Sequence, residues 1–268
     1  MSPKYADDLI SFWRRFDIVK QPFVHPDDWP ILQKYSELYI REEPKDFDAF
    51  VLDSNFGNFT DRRLRLSLLP CPYSGDLRAA DIVILLLNPG FSLGDFYAET
   101  RVPKFRKSIE RTLAQDFDGL EFPFVSLDPE YCWSGAFRWW EEKLRDVITF
   151  IAEKKFNGSY LKTLRDLSRR LAAIELFPYH SSSFNAHKLL KRLPSVQAAQ
   201  RFAQDDLVKA ANQGDKTIIV LRQKELWGIP EKTRNHVAYG RLEARGARLG
   251  RNSRGGKEIL DRYCIKQV

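Results

Sequence analysis

The stretch ADIVILLLNPGFSLGDFY, residues 80–97, decides how this chain is interpreted. Six consecutive apolar residues, 82–87, stop at Asn88-Pro89-Gly90. A short run that is apolar at every position is typical of a strand buried on both faces of a parallel sheet. The polar turn would then lie at the carboxyl end of that strand, which is where open parallel sheets bind ligands. The same three residues are also common turn formers, so the turn by itself has two interpretations.

Three more strands are predicted downstream, separated by segments with helical spacing of apolar residues. Strands that alternate with helices predict an α/β fold, here a three-layer α/β/α sandwich around a central, mostly parallel four-stranded sheet. The predicted strands are 82–87, AAIELF at 172–177, TIIVLR at 217–222 and HVAYGRL at 236–242, and the predicted helices are 138–154, 159–171, 195–213 and 255–265.

The N-terminal part of the chain lacks this alternation. DDLISFWRRF and WPILQKYSELYIREE have apolar residues at helical spacing, which predicts a helical N-terminal extension. LPCPYSGDL, residues 69–77, contains two prolines and a glycine, and we expect a loop that leads into the first core strand. The prediction is a single domain over residues 1–268, with the extension at 1–75 and the α/β core at 76–268.

The composition is that of an ordinary globular protein, with 43% hydrophobic and 29% charged residues in 268. No apolar run approaches membrane-spanning length, and the N-terminus lacks the pattern of a secretory signal. The three cysteines, Cys71, Cys132 and Cys264, are far apart and form no CxxC pair. We therefore expect a cytoplasmic protein with no membrane contact, no metal or iron–sulfur cluster and no cofactor.

The net charge of +7 is unevenly distributed along the chain. Residues 201–268 contain 15 Lys and Arg against 8 Asp and Glu, whereas the first 200 residues contain 28 of each sign. A basic excess confined to the last quarter favours binding of a polyanion at that end. A solvated basic face is the alternative.

The predicted strand ends carry the candidate functional side chains. His180 and three serines follow the second strand, and EARGARLGRNSRGG, residues 243–256, follows the fourth. Arginine neutralises phosphate, and glycine lets a backbone approach it closely. The alternatives are a structural histidine, a serine helix cap and a disordered basic loop. The candidate polyanion contacts in this loop are Arg245, Arg248, Arg251, Asn252, Ser253 and Arg254.

IVILLLNPGFSLGDFY, residues 82–97, resembles the first motif of the uracil-DNA glycosylase superfamily. It is most similar to the mismatch-specific and single-strand-selective branches, in which an apolar strand is also followed by Asn-Pro-Gly. Over residues 70–265 the order of the predicted strands, helices and loops is also similar to that family. The resemblance implies that the polyanion is DNA. The late motif departs, because this chain has Arg251-Asn252-Ser253 where the family has a His-Pro-Ser or Asn-Pro-Ser core. The base-contacting residue of that loop is therefore left unassigned.

The resemblance implies a monofunctional DNA glycosylase that flips a nucleotide out of DNA and leaves an abasic site. Asn88 would hold the attacking water through its side-chain oxygen, since a highly dissociative step needs placement more than basicity. His180, or the backbone beyond Asn88, would donate a hydrogen bond to the departing base. Lys224 is the only lysine at these strand ends, which makes a Schiff-base lyase less favoured.

Two positions bear on the identity of the base. Uracil-restricted relatives have a tyrosine two places after the catalytic residue, where this chain has Gly90, so a substituent at C5 would have room. Glu175 aligns with the asparagine by which relatives bind uracil, and a carboxylate would accept from the cytosine amine. Phe91 and Tyr179 are the candidates for stacking on the base. The prediction is a 5-substituted cytosine, such as glucosylated hydroxymethylcytosine in phage DNA.

Three alternatives stay open at this point. The substrate of a related repair enzyme would be uracil or a damaged pyrimidine. A non-catalytic module would keep the fold and bind DNA without excising a base. A hydrolase would use Ser181 or Ser182 with His180, but the chain has no G-x-S-x-G elbow, and serine directly beside its base in sequence is poor triad geometry.

Overall fold

The computed structural model describes residues 6–54, 56–58, 60–240, 243 and 249–264. The chain has an α/β fold built on a five-stranded sheet with the strand order β1-β3-β2-β4-β5. Neighbouring strands are parallel except for β1, which is antiparallel to β3. The strands are β1 (Tyr73–Ser74), β2 (Ile82–Leu86), β3 (Leu171–Glu175), β4 (Thr217–Val220) and β5 (His236–Ala238).

Helices precede, separate and follow these strands. A π-helical segment, Phe202–Leu207, joins α8 to α9 without a break. The helices are α1 (Asp7–Trp13), α2 (Trp29–Leu32), α3 (Phe47–Leu52), α4 (Leu93–Arg101), α5 (Pro103–Ala114), α6 (Gly135–Lys155), α7 (Tyr160–Arg170), α8 (Pro194–Arg201), α9 (Val208–Gln213), α10 (Lys224–Trp227) and α11 (Arg254–Arg262).

Side-chain caps set where several of these helices begin. The hydroxyl groups of Ser134, Ser159 and Ser253 each accept a hydrogen bond from a backbone N–H in the first turn of α6, α7 and α11. Ser92 and Asp95 form a reciprocal capping box at the start of α4. The helix that begins just after the Asn88 turn therefore has a fixed first turn.

The two faces of the sheet are covered by different sets of helices. Ile82, Ile84 and Leu86 of β2 belong to a hydrophobic cluster with α6, α7 and α11. Val83 and Leu85, which point the other way, belong to a second cluster with α1, α8 and α9. Burial on both faces explains why the β2 sequence is apolar at every position.

The predicted α/β fold with a mostly parallel sheet is confirmed, but the sheet has five strands instead of four. The missed strand, β1, lies inside the 69–77 segment that we expected to be a loop. It is only two residues long and lies at an edge of the sheet, so it has no periodic pattern to reveal it. Gly75 ends it at a φ of 78°, where a Cβ would lie 2.3 Å from the Leu171 carbonyl oxygen.

The N-terminal residues are less helical than predicted. α1 forms where the DDLISFW pattern places it, but WPILQKYSELYIREE forms a helix only over Trp29–Leu32 and a 3-10 turn over Ser36–Leu38. Leu9 and Trp13 of α1 join the same hydrophobic cluster as Val83 and Leu85 of β2. Among the helices that the structure describes, none combines the length and apolarity needed to cross a membrane.

Candidate functional site

The carboxyl ends of three strands meet around the Asn88 turn. β2 is the middle strand of the sheet and runs parallel to β3 and β4. Leu86 pairs with Glu175, and the Phe177 N–H donates to the Leu87 carbonyl oxygen at 2.8 Å, so β2 and β3 stay paired as they leave the sheet. Asn88 therefore lies beside the segment 178–182, which includes His180 and two of the serines.

The Asn88 side chain is half-buried, and its amide nitrogen is held from two sides. Nδ2 donates to the Ser181 Oγ at 3.0 Å and to the Pro89 carbonyl oxygen at 2.8 Å. Ser181 is 1% exposed, so the hydroxyl that orients the amide is fixed inside the protein. No described residue donates a hydrogen bond to Asn88 Oδ1, which leaves this oxygen to accept one from a water molecule or a ligand.

His180 braces the Asn88 turn instead of pointing into an open site. Its Nδ1 lies 2.7 Å from the Gly90 carbonyl oxygen, and its Nε2 lies 3.0 Å from the Leu69 carbonyl oxygen. The ring can donate to both carbonyls at once only as an imidazolium. Because both nitrogens face backbone acceptors, the predicted role of His180 as a catalytic donor is corrected to a positioning role.

His180 also orients the peptide that follows Gly90. The carbonyl group of Gly90 and the N–H of Phe91 belong to one planar trans peptide, so they point in opposite directions. With the carbonyl turned toward His180, the Phe91 N–H points away from the ring. No described residue accepts a backbone hydrogen bond from the N–H of Gly90 or of Phe91. Two backbone donors are thus available just after Asn88.

Glu175 is an unpaired carboxyl at the end of β3. It lies beside Leu86 in the strand pairing, and its Oε2 is buried with no hydrogen-bond partner among the described residues. Burial raises the pKa of Glu175 well above its usual range, which favours the neutral acid. A neutral carboxyl offers one O–H donor and one carbonyl acceptor. The predicted base-reading position is therefore occupied by an unsatisfied polar group.

Gly90 and Phe91 differ in their surroundings. Gly90 is exposed, and a Cβ built on it would meet no atom within 4 Å. The Phe91 ring is half-buried and makes edge-to-face contacts with Phe50 and Phe96 at centroid distances of 6.1 and 6.0 Å. Gly90 therefore faces open space, and its role in selecting the base stays a prediction.

Two exposed aromatic residues contact each other between α4 and the start of α6. Tyr97 and Trp133 are 41% and 40% exposed, and their rings meet edge to face at 5.7 Å. Trp133 comes just before the N-terminus of α6, whose Gly135 packs against the Ser92 side chain. Exposed aromatic rings of this kind suit stacking on unpaired bases.

Tyr179 does not face the strand-end site. It is 1% exposed, it contacts Phe177 in the core, and its hydroxyl donates to Asp28 Oδ2 at 2.6 Å. A ring enclosed in this way has no free face, so the prediction that Tyr179 stacks on a base is wrong. Alternation along the chain places it opposite to His180, a distinction that residue type alone does not reveal.

The described part of the Arg-rich loop is held by ion pairs and a cap. Arg251 pairs with Asp146 of α6, and Arg254 donates to Glu243 at 2.8 Å. Ser253 caps α11, and Asn252 is exposed. Arg245 and Arg248 lie outside the described residues. The arginines that the structure describes are each about half exposed, so their ion pairs contribute little stability and can be exchanged for other anions.

The glycines of this loop serve packing. Gly255 and Gly256 are buried, and a Cβ at Gly256 would lie 2.0 Å from the Gly250 carbonyl oxygen. The Gly255 N–H donates to the Tyr239 hydroxyl at 2.8 Å. We therefore correct the expectation that these two glycines make room for phosphate, since they make room for the loop itself.

Arg65 is a functional candidate that the sequence did not indicate. It is 3% exposed, its guanidinium lies 4.7 Å from the centroid of the Phe91 ring, and its backbone N–H donates to the His180 carbonyl oxygen at 2.9 Å. No described residue accepts a hydrogen bond from this guanidinium or forms an ion pair with it. The contacts join residues far apart in the chain, and the run Arg62-Arg63-Leu64-Arg65 is the only sequence signal.

The cavity that described residues form elsewhere in the molecule does not include the strand ends. A cavity of about 410 Å³ lies between α1 and the end of α8, lined partly by Phe12, Arg15 and Arg201, and it includes no strand-end residue. Within the described ranges, no group of three or more His, Cys, Asp or Glu side chains is arranged to hold a metal ion. The open edge around Asn88 is therefore the candidate site.

Comparisons of this chain with protein-family models, with curated proteins and with solved structures found no match.

Proposed function

We propose that the chain is a monofunctional DNA glycosylase, which flips out a modified pyrimidine nucleotide and hydrolyses its N-glycosidic bond. The favoured base is a 5-substituted cytosine, such as hydroxymethylcytosine or its glucosylated form in phage DNA, and the biological role would then be phage defence. The resemblance of residues 82–97 to the first motif of the uracil-DNA glycosylase superfamily supports this proposal. A mostly parallel sheet covered by helices on both faces is compatible with the three-layer core of that family.

The observation that carries the proposal is the orientation of Asn88. Ser181 and the Pro89 carbonyl occupy the amide nitrogen, so the amide oxygen is the group left to hold a water. An amide is a weak base, but a dissociative glycosidic cleavage develops an oxocarbenium-like sugar that water attacks readily. The task of Asn88 is to place that water at C1′.

The departing base carries negative charge, which the backbone after Asn88 can stabilise. The unpaired N–H groups of Gly90 and Phe91 are donors held in place before the reaction begins. His180 contributes by fixing the Gly90 carbonyl and so the direction of the Phe91 N–H. The negative charge of the base would therefore be met by peptide dipoles and not by a protonated side chain.

Glu175 and Gly90 support a cytosine with a C5 substituent. A neutral Glu175 donates its proton to cytosine N3 and accepts from the N4 amine, which matches two groups on that edge. The open space at Gly90 leaves room for a group at C5. A buried carboxyl that lacks any described protein partner favours a ligand, because leaving it unpaired costs about 1–3 kcal/mol.

Repair of uracil or a damaged pyrimidine is the second candidate, and the same residue favours it. A neutral carboxyl accepts from uracil N3–H and donates to O4, so it pairs with uracil as well as with cytosine. Ionisation of Glu175 removes the donor that uracil O4 needs. Uracil excision should therefore fall at alkaline pH in the parent protein but not in Glu175→Gln, and equal pH profiles would remove Glu175 from the base site.

Two further alternatives differ in the evidence for them. A non-catalytic DNA-binding module would have the same surfaces and yield no abasic product. A hydrolase that uses Ser181 or Ser182 with His180 is disfavoured, because Ser181 accepts from Asn88, Ser182 donates to the Asp61 carbonyl, and both His180 nitrogens face carbonyls.

The test uses oligonucleotides with one uracil, one 5-hydroxymethylcytosine or one glucosylated 5-hydroxymethylcytosine. After incubation, alkali cleaves any abasic strand, and Asn88→Ala serves as the inactive control. The proposal expects cleavage of at least one substrate by the parent protein alone. Equal cleavage by the parent and by Asn88→Ala would contradict it.

A further inference from the structure

Arg65 combines three properties that rarely occur together. Its side chain is almost completely buried, its charge is unpaired by any described acceptor, and it lies against the Phe91 ring beside the Asn88 turn. A guanidinium taken out of water loses hydration, and a cation–π contact offsets part of that cost. Five N–H donors remain for an anion that fits a planar fork.

Nearby carboxyl groups stabilise the positive charge of Arg65 but accept no hydrogen bond from its guanidinium among the described contacts. Glu43, Asp61 and Asp53 exert a favourable electrostatic effect on Arg65, although burial lowers its pKa. Glu43 Oε2 instead accepts from the Ser67 N–H, and Asp61 pairs with Arg63. The field of these groups keeps Arg65 charged, while its donors stay available.

Arg65 and Glu175 contact different segments around the Asn88 turn. The Arg65 guanidinium lies against Phe91, and the Arg65 backbone pairs with His180. Glu175 instead pairs with Leu86 at the end of β3. We therefore assign the base edge and the Arg65 anion to two separate parts of one substrate.

We infer that Arg65 binds a backbone phosphate of the DNA strand next to the flipped nucleotide. The identity of the polyanion as DNA rests on the proposed function. Arg62, three residues earlier in the chain, is exposed and adds a second positive charge to this segment. Arginine forms bidentate hydrogen bonds with phosphate. Such contacts fix the position of the strand on the protein but do not depend on its base sequence.

The sheet order places this contact opposite to the Arg-rich loop. Arg65 lies at the end of β3, and Arg254 lies at the end of β5, with β2 and β4 between them. Three strand spacings of about 4.8 Å separate β3 from β5, about 14 Å in all. The two basic regions would thus hold the strand on both sides of Asn88.

The test measures binding in an Asn88→Ala background, so that the DNA stays intact. A fluorescent oligonucleotide is made with a neutral methylphosphonate at one linkage at a time around the target nucleotide. We expect one linkage at which neutralisation weakens binding about tenfold, as for a charge-assisted hydrogen bond. Arg65→Met should bind about tenfold more weakly, lose sensitivity at that linkage alone and reduce the slope of log K against log salt by about 0.7–0.9.

The matched control is Arg15→Met. Arg15 also lies over a phenylalanine ring, Phe12, but it is exposed and paired with Asp27, away from the strand ends. This variant should retain the affinity, the salt slope and the sensitive linkage. If Arg65→Met does not fold, Arg65→Lys replaces it and should bind several-fold more weakly with the sensitive linkage retained.

Two results would overturn the inference. One is parent-like binding and salt slope in Arg65→Met or parent-like affinity in Arg65→Lys. The other is an equal loss of affinity at every linkage in Arg65→Met, which is the effect of a structural residue. Because no base is excised in this assay, its outcome is independent of the glycosylase test. If the parent protein excises a base but no phosphate linkage depends on Arg65, this inference is wrong and the proposed function is unaffected.

Discussion

The ends of β3 and β5 both carry arginine, but they present it in different ways. Beyond β5, Arg251 and Arg254 are half exposed and each pairs with a carboxylate. Beyond β3, Arg65 is buried, unpaired by described residues and packed on Phe91. The β5 side belongs to the last quarter of the chain, which holds the excess of positive charge counted in the sequence. The β3 side also holds Glu175, whose buried Oε2 has no partner among the described residues. An unmet buried polar group is costly, whereas an exposed ion pair contributes little stability.

The largest effect should come from Asn88, which lies between these two regions. Asn88→Ala removes the oxygen that positions water, and we expect the single-turnover excision rate to fall roughly 10²–10⁴-fold. Ser181→Ala should lower the rate by less, because it only frees the amide to rotate. Ser182→Ala is the matched control, since its hydroxyl bonds to Asp61 and not to Asn88. Equal rates for Ser181→Ala and Ser182→Ala would remove the orienting role of Ser181.

The next largest effect should be a pH-dependent change in the free energy of unfolding, caused by Glu43 on the β3 side. Burial raises the pKa of Glu43 to about 7, and its Oε1 has no hydrogen-bond partner among the described residues. A raised carboxyl pKa means that stability is full below the unfolded pKa and is lost as pH rises through the folded value. Between about pH 4.5 and 7 the parent should lose at most about 3 kcal/mol that Glu43→Gln retains.

Urea unfolding at several pH values measures this difference. Glu42→Gln is the control, because Glu42 is the exposed neighbour of Glu43 in the chain. A constant gap between the parent and Glu43→Gln from pH 4.5 to 8 would show that Glu43 does not titrate in this interval.

His180 should have a smaller effect on stability but a broad one on the site. His180→Ala leaves the Gly90 and Leu69 carbonyls without their donors, and we expect a loss of about 2 kcal/mol in the free energy of unfolding. Excision should fall as well, because the Phe91 N–H loses its direction. His187→Ala, at a nearby 3-10 turn, is the control. Full stability together with a parent-like excision rate in His180→Ala would contradict the positioning role of His180.

The smallest effects should come from the β5 side. Arg251→Ala and Arg254→Ala each break an exposed ion pair, so stability should change by less than about 1 kcal/mol. DNA affinity should fall several-fold, and the salt slope should decrease by about 0.7–0.9 for each phosphate that the variant no longer binds. Measuring the DNA dissociation constant of each variant at several salt concentrations checks both values. A larger loss of affinity in Arg254→Ala than in Arg65→Met would reverse the comparison between the two strand ends.

The sequence predicted the parts of the fold that have a strong pattern. The all-apolar run at β2 predicted a buried central strand, and the turn after it directed attention to Asn88. The role of Glu175 as a base reader stays a prediction; the structure places this residue at the end of β3, with a buried Oε2 that has no described partner. β1 escaped prediction because a two-residue edge strand has no period.

The rest depends on interactions between residues that are distant in sequence. Tyr179 and His180 are neighbours in the chain, yet one is sealed in the core and the other braces the turn. Arg65 acquires its importance from Phe91 and His180, which no local pattern connects to it. Residue type predicts what a side chain can do, and the tertiary structure decides which of those interactions it has left to make.

The most direct test of the central claim is the intact mass of a substrate strand before and after incubation. A strand with one glucosylated hydroxymethylcytosine should lose the mass of its modified base and gain that of water, with the backbone unbroken. The same strand should be unchanged with Asn88→Ala. No loss of base from this strand or from its hydroxymethylcytosine and uracil counterparts, or strand scission without alkali, would contradict a monofunctional glycosylase.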